Sequence, residues 1–103
     1  MSKRDERYDN VISLYKDGKI TSFTDIFKTV PKTVVSKDIG KRVSDFNKML
    51  AKPDLFEMGE LYTIARLCSL TTREIYGLYE DHYQKIKEGK ITGDGKKIKA
   101  PKK

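Results

Sequence analysis

Apolar residues in this sequence return every three or four positions, and a glycine or proline interrupts each run before it grows long. Tyr8, Val11, Ile12 and Tyr15 fall at the i, i+3, i+4, i+7 spacing of one helical face, and Asp17-Gly18 then supplies a stop. Ser22 precedes Phe23, Ile26, Phe27 and Val30, with Asp25 in a capping-box position; Pro31 closes that helix. A third helix, from about Lys32 to Ile39, buries Val35 and Ile39 and stops at Gly40. A fourth, roughly Val43 to Ala51, turns Phe46, Met49 and Leu50 inward and ends before Pro53. A fifth, roughly Met58 to Ser69, uses Met58, Leu61, Ile64, Ala65 and Cys68. The sixth opens on the capping box Thr71-x-x-Glu74 and carries Ile75, Leu78, Tyr79 and Ile86 toward Gly89. No stretch alternates apolar and polar residues long enough for a strand. The expected fold is all-α, a compact domain of five to six helices.

At 103 residues the chain has room for one small domain. Leu, Ile, Val and Phe together number 25, above the roughly 20% below which a charged chain stays disordered. Such a core rarely supplies more than about 3–5 kcal/mol, so dimerisation or a ligand would add stability. Cys68 is the sole cysteine, which excludes an internal disulfide and points to a reducing compartment. No apolar run approaches the roughly 18 residues that span a bilayer, and MSKRDERYDN lacks a secretory signal. The expectation is a cytoplasmic protein with no membrane partner.

Charge is unevenly divided. Residues 1–27 are neutral, 28–52 carry +5, 53–84 carry −4 and 85–103 carry +6, for a total of +7. Two basic blocks suit a polyanion, although lysines also serve simply to solubilise a small domain. Beyond Gly89, KITGDGKKIKAPKK has three Gly-or-Pro breakers and only Ile91 and Ile98 as sizeable apolar residues. It reads as a flexible basic tail. The expected organisation is an N-terminal helix at 1–20, a helical domain at 21–88 and the tail at 89–103.

Catalytic signatures are absent: no Gly-rich phosphate loop, HExxH, CxxC or Ser-centred nucleophile motif occurs. His82 is the only histidine and reads as a surface or groove residue. Cys68 reads as a buried small apolar residue. Glu57 and Glu60 stand at a helix start, where they favour the helix dipole. The expectation is a non-enzyme with no cofactor, no metal and no small-molecule substrate.

The segment from Lys32 to Ile75 resembles the helix-turn-helix domain of the Cro and lambda-repressor type. Val35 stands five before the turn glycine Gly40, Ile39 just before it, and Phe46 and Met49 six and nine after it. Leu61, Ile64, Ala65 and Cys68 match the pattern of the following helix, and Thr71 or Thr72 with Ile75 and Leu78 that of the last. The small Ser36 suits its position. Lys41 and Arg42 depart from the apolar residue and the Ser or Thr that often stand there. The resemblance covers about half the chain and implies binding of double-stranded DNA by a bacterial or phage transcriptional regulator.

In such a pair the second helix enters the major groove. With Phe46, Met49 and Leu50 inward, the 42–51 helix presents Arg42, Ser44, Asp45, Asn47 and Lys48. Arg42 suits guanine, Asn47 adenine, and Asp45 cytosine. Lys32, Thr33, Lys41, Lys48 and Lys52 suit phosphates. Asp45 needs Arg42 or Lys48 as a partner to tolerate a nearby phosphate. The bland alternative is a solvated face of ordinary ion pairs.

Tyr76, Tyr79, His82 and Tyr83 form a tyrosine-rich stripe on the last helix, a candidate homodimer or partner interface. The competing reading packs these tyrosines beneath the Tyr8–Tyr15 helix. Three functions stay open at this point: a sequence-specific DNA-binding regulator, a protein-interaction module of the antitoxin or phage-particle kind, and a non-specific nucleic-acid packaging protein.

Overall fold

The computed structural model describes residues 4–98. Among them the chain forms six α-helices and no strand: α1 (Arg7–Lys16), α2 (Phe23–Thr29), α3 (Lys32–Asp38), α4 (Val43–Ala51), α5 (Met58–Cys68) and α6 (Thr72–Lys87). A single 3-10 turn, Pro53–Leu55, links α4 to α5. The helices α1 and α2 pack together, α1 also meets α5, α6 lies against α2 and α5, and α3 packs on α4.

Local chemistry sets the helix ends. The Thr71 hydroxyl accepts from the Glu74 amide at 3.1 Å while the Glu74 carboxylate accepts from the Thr71 amide at 2.8 Å. The same return bond runs from the Ser22 amide to Asp25 at 3.2 Å and from the Glu57 amide to Glu60 at 2.8 Å. Each closes a donor that the first helical turn leaves open. Gly40 has φ +76°, a conformation that L side chains rarely adopt. It lets the Lys41 amide reach back to the Ser36 carbonyl at 2.8 Å and turns the chain from α3 into α4.

All four phenylalanines close a ring of edge-to-face contacts at the centre of the molecule. Phe23 meets Phe27 at 5.1 Å, Phe27 meets Phe46 at 5.1 Å, Phe46 meets Phe56 at 6.0 Å and Phe56 meets Phe23 at 5.5 Å. Each such pair contributes roughly 0.5–1.5 kcal/mol beyond area burial. The ring fastens α4 to α2 and to the lead-in of α5, so its position depends on residues from three segments. Val35, Met49, Leu50, Leu61, Ile64, Ala65, Cys68, Ile75 and Leu78 are among the other residues of the buried core.

Several expectations need correction. Met58, expected inward, is 48% exposed, because as the first residue of α5 it falls at the edge of the buried stripe of Leu61, Ile64, Ala65 and Cys68. His82, expected at the surface or in a groove, is buried: its Nε2 lies 2.8 Å from the Leu50 carbonyl, and its ring lies 5.7 Å from that of Phe23. The stretch from Lys90 to Ile98 does not behave as a free tail. The Thr92 amide donates to the Lys96 carbonyl, Gly95 to Thr92, and Ile98 to Lys90, at 2.8–2.9 Å, and Ile91 pairs with Lys97 in an antiparallel bridge. This small hairpin folds back so that Gly93 abuts Ala51 and Gly95 abuts Thr24. Residues 99–103 of the expected tail lie outside the described residues.

Candidate nucleic-acid interface

The helix α4 is anchored on one side only. Phe46, Met49 and Leu50 are buried, whereas Ser44, Asn47, Lys48 and Ala51 are exposed along the other side, and Val43 is exposed in the first turn at the border between the two. Arg42 caps the helix in extended backbone geometry, with 84% of its side chain exposed. Its Nε reaches Asp45 Oδ2 at 3.2 Å, so of the two partners that the spacing offered, Arg42 and Lys48, Asp45 takes Arg42. That pair keeps the carboxylate compensated without burying the guanidinium, whose remaining donors stay available.

The lysines of the 28–52 block divide into two kinds. Among the described residues, Lys48 and Lys52 form no ion pair, and both are exposed. Lys41 and Lys32, expected as phosphate clamps, are already engaged. Lys41 Nζ lies 3.1 Å from Glu60, a carboxylate whose side chain is only 11% exposed. Hydrogen bonding to Glu60 holds the Lys41 ammonium above the ordinary lysine range. Lys32 Nζ is bonded to Asp94 at the hairpin tip, and that contact holds the Asp94 carboxyl below the usual carboxylate range. Thr33 is exposed beside Lys32 at the start of α3.

The acidic 53–84 segment is not confined to one side of the molecule. Glu60 reaches across to Lys41, while Asp54 turns the other way and binds Lys87 at 2.7 Å. The hairpin adds a feature absent from the periodicity. Lys32, Asn47, Ala51, Gly93 and Asp94 line a shallow open cleft of about 390 Å³ along the flank of α4. Asp94 and Gly93 thus border a candidate base-reading residue, Asn47. Val43 is a second residue that the sequence reading passed over. It is 39% exposed at the front of α4, where an apolar side chain can meet a thymine methyl. The signal was its place in the first turn of α4, one turn before both Phe46 and Asn47, at the border of the buried side.

The four candidate interface residues of α6 separate. Tyr76 is exposed and Tyr83 half-buried. Tyr79 is half-buried and donates its hydroxyl to the Pro53 carbonyl at 2.7 Å. With His82 interior, only Tyr76 stands fully outward, so the stripe does not form one external surface.

Comparison with protein-family models, with characterised proteins and with solved structures finds no match to this chain.

Proposed function

We propose that this chain binds double-stranded DNA through the outward side of α4 and acts as a transcriptional regulator in the cytoplasm. The observation that carries this reading is the one-sided anchoring of α4. Three apolar residues hold it to the core; its other side and its two ends offer a guanidinium, an amide, a hydroxyl and the ammonium groups of Lys48 and Lys52, which form no ion pair among the described residues. The α3–Gly40–α4 turn supports a helix-turn-helix of the Cro and lambda-repressor type, with α4 as the recognition helix. In this mechanism Arg42 and Asn47 address base edges, Val43 a methyl group, and Lys48 and Lys52 the phosphates.

The test is selection of duplexes from a random pool with the full chain, followed by sequencing. One enriched motif is expected, and it should vanish in the Arg42→Ala, Lys48→Ala double variant. Absence of any enrichment by the folded protein would overturn the reading. A second reading, a protein-interaction module, is favoured by the apolar side chains of Met58, Tyr62 and Tyr76, which stand outward on α5 and α6.

A further inference from the structure

The outward side of α6 has the properties of a surface made for a second copy of itself. Arg73, Tyr76, Gly77 and Glu80 recur at i, i+3, i+4 and i+7 and are all exposed, so they form one stripe opposite Ile75, Leu78 and His82. Gly77 sits in the sixth position of a sixteen-residue helix, where glycine is a weak helix former. A Cβ added there would meet nothing within 4 Å, so no contact inside the chain accounts for the glycine. Tyr76 beside it is 41% exposed, and one side of its ring borders a shallow groove shared with Met58 and Tyr62.

The charges on this stripe are arranged symmetrically. Arg73 lies three and a half positions before the point midway between Tyr76 and Gly77, and Glu80 the same distance after it. Among the described residues neither forms an ion pair. An antiparallel helix pair with its two-fold axis at that midpoint sets Arg73 of each copy opposite Glu80 of the other, twice per dimer. The same axis lays each Tyr76 ring over the bare Gly77 backbone of the other copy, where the missing side chain permits close helix approach.

We infer that this protein forms a homodimer through antiparallel packing of α6 on α6, centred on Tyr76 and Gly77 and held in register by reciprocal Arg73–Glu80 pairs. The occupant is a second copy because the charge pattern complements itself. This surface is separate from the outward side of α4, and the inference stands whether or not α4 binds DNA.

Sedimentation equilibrium of the full chain over a broad concentration range tests it. A monomer–dimer equilibrium is expected. Arg73→Glu and Glu80→Arg should each weaken self-association at least tenfold, since each places like charges across the axis. Mixing those two single variants should restore a dimer, as a heterodimer with both pairs reformed. Gly77→Gln should raise helicity and monomer stability yet weaken the dimer, which separates an interface effect from a folding effect. A chain that stays monomeric throughout would overturn the inference. So would a dimer indifferent to all these substitutions.

Discussion

The phenol of Tyr8 donates a 2.6 Å hydrogen bond to Oδ2 of Asp38, thirty positions further along the chain. The tyrosine is wholly buried, whereas the carboxylate stands at the surface at the end of α3. The bond therefore ties the first helix to the helix that precedes α4, and it lets an interior phenol satisfy its polar atom at the rim. Burial, with Asp38 adding to it, keeps the Tyr8 hydroxyl protonated far above the ordinary tyrosine range. Tyr8→Phe removes the bond while Asp38 regains water, so a loss of about 1 kcal/mol is expected. Thermal melting should show this as a Tm lower by roughly 4–8 °C. An unchanged Tm would mean that the bond contributes nothing net.

His82 makes folding sensitive to mild acid. Nε2 lies against the Leu50 carbonyl, which fixes the proton on that nitrogen, and the buried Nδ1 has no hydrogen-bond partner among the described residues. Burial lowers the native pKa of the imidazole below its ordinary value, more than the Leu50 carbonyl and Asp81 raise it. The unfolded chain binds a proton near pH 6.5 that the folded chain resists. Stability is thus complete above that pH and falls as pH drops through the window below it. At pH 5.5 the loss is at most about 1.4 kcal/mol. Denaturant titrations at pH 7.5 and 5.5 should show this component in the parent chain and not in His82→Gln.

Cys68 should be inert in the native state. Its side chain is fully buried on the inner side of α5, and burial pushes the thiol up to about 12. A disulfide-exchange reagent at pH 8 should leave the folded protein unmodified and label one thiol per chain in denaturant. Rapid labelling without denaturant would show that α5 opens locally.

Gly95 is the residue on which docking of the hairpin depends. Its φ is +82°, and a Cβ there would come within 2.3 Å of the Thr24 hydroxyl oxygen. Gly95→Val should release the hairpin without disturbing the helices. Trypsin should then cut at Lys96 and Lys97 much faster, while the helical circular dichroism stays the same. Parent-like protection of those lysines would show that the backbone accommodates the side chain.

Asp94 occupies the Lys32 ammonium, which its removal would leave free for another anion. On the proposed reading that α4 binds DNA, Asp94→Asn is expected to tighten that binding and to steepen its log–log salt dependence by about 0.9, the equivalent of one additional phosphate contact. Filter-binding titrations across a salt series supply the number. A slope equal to that of the parent chain would exclude Lys32 from the DNA interface.

Most helix boundaries were legible in the sequence because they are local events. The Thr71 hydroxyl and Glu74 carboxylate close the start of α6 within four residues, Gly40 ends α3 by its own backbone freedom, and Pro31 cannot continue α2. The inward triad Phe46, Met49 and Leu50 follows from helical periodicity alone, and with it the outward set from Arg42 to Lys48. The Arg42–Asp45 pair is likewise a matter of one helical turn.

What only the tertiary structure decided are the relationships between distant positions. Met58 and His82 both sit on helices with the expected period, yet one is outside and the other inside, because neighbouring segments cover one and leave the other bare. Lys32 and Asp94 are 62 positions apart, and Lys41 lies in the turn between α3 and α4 while Glu60 is on α5, so no spacing rule foretells either pair. The hairpin of 90–98 has too few apolar residues to order itself. It is held by backbone bonds and by two glycines small enough to lie against Ala51 and Thr24. Periodicity reports which side of a helix is apolar; which partner that side meets, and which charges are thereby spent, depends on the packing of the whole chain.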